Sequence, residues 1–79
     1  MKIKNLTRNG NEWMWRIDTD DPYSRYDTDG VYYTDKDGCG IFFQKDGAYP
    51  PKQITGTCQF SSCDTASGMR RKLIKYFID

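Results

Sequence analysis

The stretch RNGNEWMWRID, Arg8–Asp18, decides the fold. Two signals stand in it. Asn9-Gly10 suits a two-residue type I′ turn, because both central positions of that turn need positive φ. After it, Trp13, Trp15 and Ile17 alternate with Met14, Arg16 and Asp18. A period of two is the mark of a strand with one buried face. Lys2–Arg8 reads as the partner strand. Residues 1–18 are therefore expected to form an N-terminal hairpin with Trp13, Trp15 and Ile17 toward the core.

Outward from the hairpin, Thr19–Ser24 contains Asp20-Asp21-Pro22 and reads as a loop, since Pro22 cannot donate a ladder hydrogen bond. Tyr26–Thr34 reads as extended, with a break at Gly30. Asp35-Lys36-Asp37-Gly38 turns the chain, and Gly40–Gln44 returns it with Ile41 and Phe43 on one face. Lys45-Asp46-Gly47 is a third turn, and Tyr49-Pro50-Pro51 a stiff link. Gln53–Phe60 reads as another strand, with Ile54, Cys58 and Phe60 on one side. Residues 26–60 thus supply the further strands.

The apolar period then changes. Met69, Leu73, Tyr76 and Phe77 stand at i, i+4, i+7 and i+8, a helical stripe over residues 65–79. Ser62, Asp64 or Thr65 can cap its start. Arg71, Lys72 and Lys75 fall on the opposite face, with Arg70 at the margin. Gly68 weakens the first turn by roughly 1 kcal/mol relative to Ala, so this helix must draw its stability from packing. The expected fold is a single α+β domain over residues 1–79. An antiparallel meander of four to five strands carries one C-terminal amphipathic helix on a face.

The 79 residues leave room for a modest core only. No apolar run approaches the ~20 residues of a membrane helix, and polar Asn5, Thr7, Arg8 and Asn9 interrupt any leader-like start. A soluble, cytoplasmic protein is expected. Three cysteines, Cys39, Cys58 and Cys63, make an odd number, which fits free thiols in a reducing compartment better than a disulfide framework.

Net charge is only +1, which argues against a general nucleic-acid binder. Its distribution is uneven. From Asp18 to Asp37 seven aspartates face Arg25 and Lys36, a balance of −5. From Thr65 to Asp79 four cations face one aspartate, a balance of +3. The two regions can attract each other inside the domain, or each can meet a partner.

The acidic stretch is tested against a calcium loop, which needs carboxylates at positions 1, 3 and 5, Gly at 6 and Glu at 12. With Gly30 at position 6, positions 1 and 12 are Arg25 and Lys36. With Gly38 there, they are Tyr33 and Gln44. Neither register suits the ion, and no cofactor or metal is expected. Two readings remain: tight turns built on Asp-Gly, or an acidic recognition surface. Seven aspartates exceed what turns require.

Twelve aromatic residues are many for this length, and a small meander cannot hide them all. Tyr23, Tyr26, Tyr32 and Tyr49 sit in or beside polar segments and are expected partly exposed, where tyrosine makes effective interface contacts. The leading expectation is a non-enzymatic protein-binding module. Asp18, Asp20, Asp21, Asp27, Asp29, Asp35 and Asp37 form its negative face, and Tyr23, Tyr26 and Tyr32 anchor it. The partner is a basic protein surface, such as that of a nucleic-acid-binding host complex. The alternative is a single-stranded nucleic-acid binder. It would stack bases on Trp15, Tyr32, Tyr33 and Phe42 and hold phosphates with Arg71, Lys72 and Lys75.

Catalytic equipment is sparse. With no histidine, the commonest general base and the Ser-His-Asp and Cys-His arrangements are missing. There is no Walker loop or dinucleotide fingerprint. A third class, a thiol-reactive domain, would rest on Cys39 between Gly38 and Gly40. In size, lone compact domain, absent catalytic residues and polarised charge, the chain resembles small phage-encoded or mobile-element proteins that block host machinery, anti-CRISPR proteins among them. That resemblance spans no alignable stretch. It implies an inhibitor acting by surface contact.

Overall fold

A computed structural model describes residues 1–35, 37–47, 50–56 and 64–77. The strands are β1 (Lys2–Asn9), β2 (Glu12–Asp18), β3 (Gly30–Tyr33), β4 (Ile41–Lys45) and β5 (Lys52–Thr55), and the helix is α1 (Ala66–Phe77). They form one five-stranded antiparallel sheet in the order β1-β2-β3-β4-β5, with α1 on one face. The expected α+β meander with a C-terminal helix is the observed fold.

The opening hairpin forms one residue out of step with the expected turn. Asn9 pairs with Glu12, so the loop is Gly10-Asn11 rather than Asn9-Gly10. Gly10 has φ 65, and neither asparagine beside it has positive φ. A positive φ at the first central residue alone is the type II′ pattern, which asks for glycine there. Further along, Lys4 pairs with Arg16 and Thr7 with Met14, leaving Asn5 and Leu6 together opposite Trp15. Asn5 takes φ 58 to make this bulge, a conformation asparagine tolerates better than most residues. The extra residue resets the alternation. Ile3 and Leu6, of opposite parity in sequence, both reach the core.

The core lies between the sheet and the helix. Ile3, Trp13, Trp15, Ile17, Tyr32, Ile41 and Phe43 are buried from the sheet, and Met69, Leu73 and Phe77 from α1. Phe77 packs edge-on against Trp15, Tyr26 and Tyr32. Burying each of the three helical side chains contributes about 1.5–3 kcal/mol, which outweighs the cost of Gly68. Thr65 caps the helix, its Oγ1 accepting the Gly68 N–H at 3.1 Å. Ile54 is half-buried against this cluster. Expectations on Tyr49, Cys58, Phe60 and Ser62 lie outside the described residues.

Strand β3 is shorter than expected. It begins at Gly30, and residues 19–29 form turns and bends. Gly30 is also no turn residue. A Cβ there would strike the Gln44 carbonyl oxygen and come within 2.7 Å of Phe43 Cζ. Its missing side chain lets β3 approach β4. Positive φ is instead found at Gly38 and Gly47, the other two Asp-Gly turns.

Candidate functional site

The β2–β3 loop, residues 19–29, is the candidate site, and its own short polar side chains build it. Thr19 Oγ1 accepts the Asp21 N–H at 3.1 Å, and Asp21 Oδ1 accepts the Tyr23 N–H at 2.9 Å. The Ser24 N–H closes a turn on the Asp21 carbonyl at 3.2 Å, and Ser24 Oγ accepts the Tyr26 N–H. Such bonds fix a loop without a ladder.

Three further ties hold the loop to the domain. Tyr26 is half-buried with its ring edge-on to Phe77, 4.7 Å between centroids. The Tyr32 hydroxyl donates to the Asp27 carbonyl at 2.8 Å. The Asp46 N–H donates to the Asp29 carbonyl at 2.9 Å. Asp46 also takes a bidentate pair from Arg16, at 3.1 and 3.2 Å. That hydrogen-bonded guanidinium holds the Asp46 carboxyl below its usual range. Between these anchors Tyr23 stands out, 92% exposed.

The expected acidic ridge is only partly assembled. Strand β3 separates its halves: Asp18–Asp29 lie at one end of the sheet, and Asp35 and Asp37 at the other. Four residues of strand span about 13 Å. Asp18 meets Lys4 at 3.9 Å and Asp29 meets Lys45 at 3.6 Å. Asp21 and Asp35 serve turns. Asp35 Oδ1 accepts the N–H groups of Asp37 at 3.0 Å and Cys39 at 2.8 Å. Asp20 and Asp27 are exposed, and no described cation pairs with either. A shallow open hollow of about 260 Å³ lies at the foot of the loop, lined by Met1, Lys2, Asp18, Thr19 and Asp20.

Tyr32 corrects the expectation of an exposed anchor, for it is 1% exposed. It pairs with Trp15 across the β2–β3 ladder and so must point the same way, into the core. Burial, and then the charge of Asp27, push its phenol pKa well above the ordinary value. Tyr26 is a support rather than an anchor, and its hydroxyl accepts from Arg25 at 3.0 Å. Of the three expected tyrosines, only Tyr23 is presented.

The stacking platform expected for a single strand does not assemble either. Trp15 and Tyr32 lie beneath α1, whereas Tyr33 and Phe42 stack on each other, 5.5 Å apart, on the opposite face of the sheet. Arg71, Lys72 and Lys75 are exposed on α1, on the far side from that pair.

Cys39 is disulfide-bonded, which overturns the reading of it as a free reactive thiol. Cys58 and Cys63 lie outside the described residues. Among the described residues, no group of three or more Asp, Glu or Cys gathers closely enough to hold a metal ion. Among them too, no helix is long and apolar enough to cross a membrane.

Compared with protein families, curated proteins and solved structures, the chain matches none.

What sequence reasoning missed is the company of the basic helix. Arg8 and Arg70 both link α1 to β1. Arg8 donates to the Asp64 carbonyl at 2.7 Å, and Arg70 to the Ile3 carbonyl at 2.6 Å. No local signal in the sequence announces that edge strand and helix share a flank.

Proposed function

We propose that the protein is a non-enzymatic protein-binding module that docks through its β2–β3 loop on a basic protein surface. The observation that carries this reading is Tyr23, 92% exposed on a loop whose two ends are anchored. An exposed phenol on a pre-ordered backbone offers a large rigid contact at little entropic cost. Asp20 and Asp27, without described cation partners, give the contact its sign. Complementary charge accelerates encounter and fixes orientation more than it adds affinity. Binding therefore weakens as salt rises.

An inhibitory role follows if the covered surface is the partner's own working groove, in keeping with the general likeness to phage-encoded blockers of host machinery. The compartment bears on this. The free thiols expected of a reducing compartment are not what the structure holds at Cys39, which is disulfide-bonded. Disulfides persist in oxidising surroundings, and a partner in the reducing cytosol would meet the chain with this bond open.

The test is capture from source cells with the wild-type chain, Tyr23→Ala and Asp20→Lys/Asp27→Lys, each read by mass spectrometry in oxidising and reducing buffer. The reading requires one or more basic proteins retained by the wild type and lost by both variants. An identical set on all three baits refutes it.

A further inference from the structure

We propose that the flank formed by β1 and α1 binds the phosphate backbone of duplex nucleic acid. This surface is distinct from the β2–β3 loop, and the inference does not depend on the loop's function.

Two arginines fix the flank. Arg8 reaches the Asp64 carbonyl just before the helix, and Arg70 reaches the Ile3 carbonyl near the start of the strand. These bonds align β1 and α1 antiparallel, side by side. Their acceptors are neutral carbonyls, so both guanidinium groups keep their full charge while being held in place. Arg71 and Lys75, four residues apart on one helical face, point directly away from the Met69–Leu73–Phe77 stripe. All four cations are exposed. The ion pairs among the described residues are Lys4–Asp18, Arg16–Asp46 and Lys45–Asp29. None engages these four.

The chemistry of the flank selects its occupant. Among the described residues it carries charge but no exposed stacking group. Trp15 and Tyr32 lie under the helix, and Tyr33 and Phe42 are on the sheet's other face. A single strand is held largely by stacking, and here finds only charge. A duplex presents both backbones at twice the axial charge density. The 12 residues of α1 run about 18 Å, alongside roughly five phosphates of one strand at 3.4 Å each. Ile74 is the one large apolar side chain exposed on the described part of α1, too little for membrane insertion, which needs a full apolar face. The acidic β2–β3 loop begins beside the start of β1, where Lys2 pairs with Asp18, and repels phosphate at that end of the flank.

The probe is a short labelled duplex DNA followed by fluorescence anisotropy across a salt series, with a single strand of equal length and polyglutamate as competitors. Duplex affinity should fall linearly on a log–log plot against salt. Replacing Arg71 and Lys75 with Ala should reduce that slope by about 0.9 for each phosphate no longer neutralised. Asp20→Lys/Asp27→Lys should bind at least as tightly as wild type. The single strand and polyglutamate should compete several-fold less well than the duplex. The proposal is overturned by absent duplex binding at low salt, by an unchanged slope in the double variant, or by equal competition from polyglutamate or single strand. Thermal unfolding of each variant confirms that the surface changes leave the fold intact.

Discussion

The Arg8 guanidinium donates to the Asp64 carbonyl at 2.7 Å, across 56 positions of sequence. The same side chain donates from Nε to the Gly10 carbonyl at 2.7 Å and lies over the Trp13 ring, 5.3 Å from its centroid. One residue thus fastens the hairpin turn, the core indole and the residue preceding the helix cap. Arg8→Ala should lower stability by about 1 kcal/mol, a solvent-exposed charged hydrogen bond plus a cation–π contact. Arg8→Lys should recover only part of it, since an ammonium cannot span both carbonyls as the planar fork does. Urea unfolding of the two variants is the check, and equal midpoints for Arg8→Ala and wild type would rule the clamp out.

Gly30→Ala tests the close approach of β3 and β4. The new methyl would overlap the Gln44 carbonyl oxygen and the Phe43 ring, and overpacking of this kind costs about 1–3 kcal/mol. Gly47→Ala makes the comparison, since a Cβ there has no atom within 4 Å, although its φ of 74 carries backbone strain. A Gly30→Ala protein as stable as wild type would show that the two strands can part at no cost.

Tyr32 governs the alkaline limit. Its phenol is buried, and its folded pKa stands well above the unfolded value, near 10. The neutral form is the one the fold holds. Its contribution is therefore complete below about pH 10 and is lost as pH rises above that toward the folded pKa. Tyrosinate absorbance from Tyr32 should appear only with unfolding. Tyr32→Phe should flatten the alkaline loss while giving up about 1 kcal/mol at neutral pH, the hydrogen bond to Asp27. If Tyr32 titrates with the fold intact, it is not enclosed.

Thiol titration reports on Cys39. The chain has three cysteines, and a disulfide at Cys39 removes two from the count. Denatured, unreduced protein should give one reactive thiol per chain, rising to three after reduction. Three at the outset would contradict the bond.

The legible parts of the fold are those set by large apolar side chains at short range. Trp13, Trp15 and Ile17 alternate without ambiguity, and Met69, Leu73, Tyr76 and Phe77 together can share a face only on a helix, because Tyr76 breaks the even spacing of the other three. The hidden parts depend on which strand lies beside which. Tyr32 and Tyr33 are adjacent and alike, and only pairing with Trp15 and Met14 sends one inward and the other outward. The seven aspartates fall within one 20-residue stretch of sequence, Asp18–Asp37, yet a strand runs between them and carries two to the far end of the sheet. Asn5 gives no warning of its bulge, because an isolated asparagine in a strand can equally be extended. The basic flank combines residues from the two ends of the chain, which no window of sequence brings together.

The kink at Asn5 bears on how copies of this molecule treat one another. β1 is an outermost strand, and a flat outer strand is a template onto which a neighbour can zip and start an aggregate. Here that rim is bent, carries Lys2, Lys4 and Arg8, and has its Ile3 carbonyl already engaged by Arg70. In a chain whose net charge of +1 gives little mutual repulsion, edge-to-edge pairing along this margin is thus opposed by shape and by a pre-empted acceptor.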